Sequence, residues 1–376
     1  MPLPASRTLI ALILIAATSV PMAANAKNHT HHKKKVAKTV ASAPVPGPSY
    51  AQRTDAMQAA DDIARQRDLD PAWVRQALGQ AHYIQAIAQA VTPPAVGVAK
   101  NWQVYRSRFV EPKRIRAGVA FWQTQRDTLQ RAQAQTGVPV DILLGIIGVE
   151  TFYGQQMGNY RVLDALATLA FDFPQSHPRA GARSQYFKEE LAQFLSMMQH
   201  GGIDPGLWRG SYAGALGLPQ FMPSSWHKYA VDFDADGKID LFNSPADAIG
   251  SVANYLAAYG WKTGQPTCFA LSFDTTRLDL PALLAPDILP TFTAAAMLAK
   301  GVVLEPAAQA YSGKLALIEL QNGDAPPSYV AGTENFYAIT RYNWSSYYAM
   351  AVIELGQAVL KAANQSDPAN TAPTSP

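Results

Sequence analysis

The 376-residue sequence contains one cysteine, Cys268, so it can form neither an intramolecular disulfide nor a cysteine-based zinc site. Charge is also scarce, with Asp, Glu, Lys and Arg making up 16% of residues and a net charge of only +3. Much of that excess is the run Lys33, Lys34 and Lys35, so no nucleic-acid surface is implied. The uncharged apolar run near the N-terminus, LIALILIAA at 9–17, has about nine residues, against the roughly 20 that a membrane-spanning helix needs. No internal repeat is present. What the sequence does have is 48% hydrophobic residues with 25 glycines and 27 prolines, which fits a globular chain of two or three domains and excludes a coiled coil or a wholly disordered protein.

Arg7, the apolar run, Pro21 and Ala24-Asn25-Ala26 together read as a secretory signal peptide over 1–26. The mature chain is then expected to begin near Lys27 and to work in the periplasm, without a lipid anchor because no cysteine lies near the cleavage site. Residues 27–50 are basic, then rich in Pro and Ala, and read as a disordered linker. His29, His31 and His32 are read as part of this tail and not as a metal site. A second disordered tail is expected at 362–376.

Between the tails most of the sequence is helical in pattern. Thr54 is positioned to cap a first helix, and Asp70-Pro71 supplies a cap and a first-turn proline for a second. An amphipathic helix is expected at 114–135, ended by Gly137, with Pro139 opening the next. Further helical patterns occur at 186–199, 245–259, 291–300 and 345–361. Strand-like text is confined to KLALIEL (314–320) and FYAIT (336–340). The expected fold class is mainly α (α+β), divided into a helical domain at 51–135 that 270–330 could join, a catalytic core at 136–269, and a segment at 330–361 that completes the core.

Glu150 stands out because it breaks a pattern. The stretch from Pro139 to Val149 is apolar on nearly every face and reads as a buried helix. Ile147, Ile146 and Leu143 lie three, four and seven residues before Glu150, so helical spacing sets its carboxyl beside an apolar stripe. It also falls in the last turn, where the helix dipole disfavours negative charge. Both effects raise a carboxyl pKa, as a general acid working near neutral pH requires. A buried Glu paired with an arginine or held by backbone donors would give the same pattern.

Two other stretches look like groove walls. GSYAGALGLPQFMPSSW (210–226) is too broken by Gly and Pro for a regular element, while Tyr212, Gln220 and Phe221 offer faces and amide groups suited to a sugar ring. Ser211 lacks the surroundings of a nucleophile elbow. RYNWSSYY (341–348) concentrates aromatics beside polar groups.

Together with GIIGVETFYG (145–154), DAIGSVANYLAAYGW (247–261) and FYAITRYNWSSYYAMAVIELG (336–356), these stretches resemble the membrane-bound lytic murein transglycosylase B family, whose members cleave peptidoglycan. The resemblance covers about 55–361. It implies a lysozyme-like catalytic core with a helical domain and a small β-containing part, acting as a monomer on peptidoglycan glycan strands, with cell-wall synthesis or division proteins as partners. It maps the catalytic acid onto Glu150 and substrate contacts onto Ser211, Gln220, Tyr342, Asn343, Tyr348, Tyr105 and Arg183. The sequence departs from the family pattern at 175–182, an insertion before Arg183, and at Leu218-Pro219, where a Tyr-Gly pair is usual. The lipid-bearing cysteine of founding members is missing.

The run D-x-D-x-D-G-x-I-D places Asp232, Asp234, Asp236 and Asp240 around Gly237, with the backbone carbonyl of Lys238 between them. This spacing suits a structural Ca²⁺, although Asn243 stands where a calcium loop has Glu. The resemblance implies that Asp247 closes the loop; an acidic surface turn is the plain alternative.

Asp164 and Asp172 lack a motif that would make either a second catalytic carboxylate. A single acid suits cleavage between N-acetylmuramic acid and N-acetylglucosamine with closure of a 1,6-anhydro ring, which needs no cofactor. A hydrolytic muramidase and an inactive wall-binding scaffold are the alternatives.

Overall fold

The computed structural model describes residues 46–92 and 100–366. The expected signal peptide, most of the basic linker and the end of the C-terminal tail lie outside them. Helices α1 (Thr54–Arg67), α2 (Pro71–Gly79), α3 (Gln85–Ala90), α4 (Trp102–Ser107) and α5 (Pro112–Thr136) lead into α6 (Val140–Thr151). Next come β1 (Tyr160–Arg161), α7 (Val162–Phe171), α8 (Ala180–His200), β2 (Arg209–Gly210), α9 (Pro223–Tyr229) and α10 (Pro245–Ala258). The C-terminal part is β3 (Cys268–Phe269), β4 (Leu271–Phe273), α11 (Leu280–Leu284), α12 (Ala294–Ala299), β5 (Val302–Leu304), α13 (Pro306–Gln309), β6 (Ala316–Asn322), β7 (Ala325–Gly332), α14 (Glu334–Thr340) and α15 (Ser346–Ser366).

The local signals act mostly as their chemistry dictates. Asp70 accepts hydrogen bonds from the Ala72 and Trp73 amides at 2.7 and 3.1 Å, and Gly137 ends α5 in the left-handed region at φ 73°. Thr54 does not cap α1: it is the first helical residue, and Arg53 holds the cap position without a side-chain bond to the helix-start amides. The expected strand at 336–340 is instead part of α14. Thr333 Oγ1 accepts from the Asn335 and Phe336 amides, and this cap outweighs the strand preference of the aromatic and β-branched residues that follow. Likewise α12 starts only at Ala294, capped by Thr293, while Phe292 pairs with Leu315. The end of the stretch read as linker is ordered, with Tyr50 buried and the Gly47 amide donating to the Tyr83 carbonyl at 2.8 Å. Helix α15 also continues past 362, where the tail was expected to begin.

The main core is centred on α6, where Leu143, Leu144, Ile146 and Ile147 are fully buried. Truncating one such side chain to Ala typically costs 2–5 kcal/mol, roughly. Helix α15 crosses α6 at backbone contact distance. A Cβ on Gly145 would lie 2.1 Å from the Val352 carbonyl oxygen, and one on Gly356 would lie 1.9 Å from that of Asp141. These two glycines let the helix bearing Tyr348 approach the helix bearing Glu150.

Sheet β3-β7-β6 is antiparallel, as is the pair β4-β5. With α11, α12 and α13 they enclose a second, smaller core that includes Phe269, Leu283, Met297, Leu304 and Leu317. The pair β1-β2, with Tyr160 opposite Gly210, anchors the start of the broken loop after β2.

Candidate active site

Glu150 occupies the last turn of α6, after which the chain turns through three successive left-handed residues, Phe152, Tyr153 and Gly154, at φ 53°, 57° and 86°. Its Oε1 accepts a 2.6 Å hydrogen bond from the Tyr348 hydroxyl. Part of Glu150 stays open to solvent, yet protein crowds the carboxyl enough that desolvation raises its pKa from the ordinary 4.5 to about 7, with the Tyr348 bond pulling the other way. Among the described residues no Lys, Arg or His forms an ion pair with it, so the reading of a buried Glu neutralised by arginine does not hold.

Tyr348 is completely buried, which places it behind the acid and not on an open groove wall. Its ring stacks on that of Tyr342, with centroids 6.4 Å apart and planes 13° from parallel. The Tyr342 hydroxyl in turn donates to the carbonyl of Pro219, joining the RYN stretch to the broken loop. Asn343 is buried beside it. Tyr105 on α4 packs against Trp102, Phe109 and Tyr347. Burial raises its pKa most, and the charge of Glu150 adds to that rise, which puts Tyr105 within electrostatic reach of the acid.

The broken loop holds itself in shape. Ser211 Oγ accepts from the amides of Ala213 and Ala215 at 3.3 and 3.0 Å, so this hydroxyl serves the loop backbone. Leu218, at the first of the two positions that depart from the family pattern, donates its amide to the Leu241 carbonyl at 2.8 Å. Gln220 sits at φ 51°, a region that a residue with a Cβ enters at a cost of order 1 kcal/mol and that recurs at functional sites. Its Nε2 donates to the carbonyls of Gly217 and Met157 at 2.9 and 3.2 Å.

Residues 52–357 match the model of the transglycosylase SLT domain. The chain belongs to this family. It is 39% identical over 322 residues to membrane-bound lytic murein transglycosylase B of Escherichia coli K12, covering 83% of this chain and 84% of that one. The fold matches the E. coli lytic transglycosylase Slt35 in complex with bulgecin A (38% identity, TM-score 0.74) and in complex with calcium (38%, 0.71), each over 85% of this chain and 96% of the other. SltB3 of Pseudomonas aeruginosa in complex with NAG-anhNAM-pentapeptide is more distant, at 29% identity and TM-score 0.63 over 81% and 79%.

Within this SLT-family fold Arg183, on α8, is 7% exposed, and its Nε has no hydrogen-bond partner. Burial and then Arg179 lower its pKa, while Tyr186 and Tyr212 offset part of the drop. No carboxylate among the described residues pairs with it. The 175–182 insertion forms turns over 175–179 and supplies the first residues of α8, with the His177 ring edge-on to Phe173 at 5.5 Å.

The two other carboxylates considered are committed elsewhere. Asp164 accepts from the His82 amide at 2.9 Å and pairs with Arg161. Asp172 is gripped through both oxygens by Arg53 at 2.7 Å and by the Tyr50 hydroxyl at 2.5 Å.

In the acidic loop, carboxylate oxygens of Asp232, Asp234 and Asp247 lie within 4.8 Å of one another. Asp247 is buried and receives the amides of Phe233 and Asp240 at 2.7 and 2.8 Å. Ser244 Oγ donates to Asp234 at 2.8 Å, and Arg131 of α5 donates to the Phe233 carbonyl at 2.7 Å. Three hard oxygen donors converging with no ion-paired base among the described residues fit a divalent cation of the calcium type. Asp236 is not in this group: its carboxylate turns back to accept the Lys238 amide at 2.9 Å.

Sequence reasoning passed over two residues that shape the site. Thr151, fully buried, donates from Oγ1 to the Leu218 carbonyl at 3.0 Å and so ties the acid's helix to the loop. Glu190 of α8 accepts from Ser224 N and Oγ at 2.9 and 2.6 Å, fixing the start of α9. The signal for Glu190 was its place among Phe187, Leu191 and Phe194, a carboxylate on an apolar helix face.

Proposed function

We propose that this SLT-family protein is a peptidoglycan lytic transglycosylase that cleaves the β-1,4 bond between N-acetylmuramic acid and N-acetylglucosamine and leaves a 1,6-anhydromuramic end. The observation that carries this reading is Glu150: a carboxyl with a pKa raised to about 7, held by the Tyr348 hydroxyl and unpaired with any cation among the described residues.

Protonated Glu150 donates its proton to the glycosidic oxygen as the C1–O bond breaks, so N-acetylglucosamine leaves as the alcohol. Glu150 is then ionised, and in that state the Tyr348 hydrogen bond is strongest. The carboxylate takes the proton of the muramic C6 hydroxyl while that hydroxyl oxygen bonds to C1 and closes the anhydro ring. The acid ends as it began, and neither water nor a cofactor is consumed. Asp164 and Asp172, bound by Arg161 and Arg53, are engaged elsewhere and do not serve as a second carboxylate.

Tyr105, Gln220, Tyr342 and Asn343 line the sugar groove, Ser211 shapes its loop, and Arg183 meets an anionic group of the substrate, which would satisfy a buried cation lacking an acidic partner. Asp232, Asp234 and Asp247 would hold Ca²⁺, which supplies charge neutralisation and rigidity to the loop preceding α10. We place the protein in the periplasm, unanchored by lipid and acting on glycan strands as a monomer alongside cell-wall synthesis or division proteins. Residues 51–135 form the helical domain, and 136–269 with 330–361 form the catalytic core. Among the described residues no single helix is long and apolar enough to cross a membrane.

Mass analysis of products from purified glycan tests the proposal. Anhydro ends, lighter by one water than hydrolysed ends, are expected, while reducing muramic ends alone would make the protein a muramidase.

A further inference from the structure

Arg114 lies in the first turn of α5, far in sequence from Glu150, and its side chain reaches the end of α6. Nη1 donates to the Gly148 carbonyl at 2.7 Å, and the Val149 carbonyl lies 3.5 Å away. The guanidinium sits over the rings of Phe152 and Phe109, 4.7 and 5.1 Å from their centroids. No carboxylate among the described residues forms an ion pair with it. Glu111, the nearest in sequence, is occupied in accepting the backbone amides of Lys113 and Arg114. Burial accordingly lowers the Arg114 pKa, and its Nε has no partner.

A partly buried cation is costly unless something compensates it. Here the compensation comes from the Gly148 carbonyl, which accepts the Phe152 amide at 3.1 Å as well as the guanidinium, and from two aromatic faces. That turn holds Gly148, Val149, Glu150 and Thr151, directly before the left-handed residues at 152–154. Thr151 fastens it to the broken loop from one side, and Arg114 fastens it to α5 from the other. A lysine would carry the charge but not the planar group that fits between two rings while donating to a carbonyl.

We infer that Arg114 is a positioning residue for the reaction: it fixes the final turn of α6 so that the Glu150 carboxyl is held at the scissile oxygen. This inference rests on the reading of Glu150 as the acid. Glycan binding depends on groove residues from other segments, so losing Arg114 should affect turnover and leave affinity largely intact.

The test measures kcat, KM and melting temperature of Arg114→Ala on soluble uncross-linked glycan strands, with and without low-millimolar guanidinium ion. We expect kcat to fall about 100-fold, the loss typical of a catalytic group displaced by about 1 Å, with KM within about twofold of wild type. Added guanidinium, but not ammonium, should restore part of the rate, and Arg114→Lys should fall between the two. If Arg114→Ala does not fold, Arg114→Met fills the slot and carries the same expectation for kcat and KM. A folded Ala or Met variant with wild-type kcat, or a loss that merely tracks the unfolded fraction, overturns the inference. Glu150→Gln run in parallel separates the two ideas: turnover retained there would remove the acid itself, whereas turnover retained only in the Arg114 variants would remove only its positioning.

Discussion

Two acidic regions of this molecule do opposite things with the same side-chain chemistry. At the end of α6 a single carboxyl, Glu150, is desolvated, receives one hydroxyl hydrogen bond and holds its proton up to about pH 7. Where the acidic loop meets α10 three carboxylates, Asp232 and Asp234 of the loop and Asp247 of the first turn of the helix, converge within 4.8 Å and receive backbone amides and a serine hydroxyl. Burial with a single donor favours a proton on the oxygen, and several donors with like-charged neighbours favour a cation between the oxygens. The surroundings, more than the residue type, decide whether a carboxyl becomes an acid or a ligand.

The largest effect that can break this comparison is on rate. Glu150→Gln keeps the shape and removes the proton, so cleavage should fall by about 10²–10⁴ while glycan binding and folding persist. Its stability should also change with pH in a defined direction. The folded pKa of Glu150 lies above its ordinary 4.5, so the folded protein binds that proton more tightly than the unfolded chain does. Stability from this group is therefore full below 4.5 and is lost as pH rises towards 7. Glu150→Gln should match wild-type melting at about pH 4 and exceed it at about pH 8.

Tyr348→Phe comes next. The hydroxyl stabilises the ionised acid, so its loss should raise the Glu150 pKa and move the alkaline fall of activity to higher pH. It should also cut kcat by about 10- to 100-fold, because the ionised acid loses a charge-assisted bond of roughly 1.5–3 kcal/mol. An unchanged pH profile would detach Tyr348 from the acid.

The acidic loop should reveal itself in melting and hardly at all in rate. Calcium at a hundredfold excess over Kd should add about 2.7 kcal/mol. Chelation should lower the melting temperature, and calcium should restore it better than magnesium does. Asp234→Ala should lose this response. A wild type indifferent to both chelator and calcium would reduce the loop to an acidic turn. The smallest expected change is in Asp236→Ala, which should keep its calcium response and lose about 1 kcal/mol for one local hydrogen bond to the Lys238 amide. Loss of the calcium response there would return Asp236 to the ligand set.

Helix α6 and the anomaly of Glu150 were legible because an apolar run ending in a carboxylate violates a rule that holds along the rest of the helix. The acidic loop was legible from its spacing, and the position of Asp70 from its chemistry. The strand expected at 336–340 was misread because a cap three residues upstream, Thr333, overrode the preference of FYAIT. Tyr348 looked like a groove residue because its burial depends on how closely α15 crosses α6, which Gly145 and Gly356 decide together from distant positions. Asp236 shares its spacing with the ligands, and only the turn geometry shows that its carboxylate bonds the backbone. Contacts fixed by long-range packing, such as Thr151 to Leu218 and Arg114 to Gly148, leave no periodic trace in the sequence.

Titration of Glu150 by carbon NMR of the side-chain-labelled protein, assigned by the signal missing in Glu150→Gln, tests the central claim most directly. The account predicts a midpoint of about 7, and a midpoint at the ordinary value of 4.5 would contradict it.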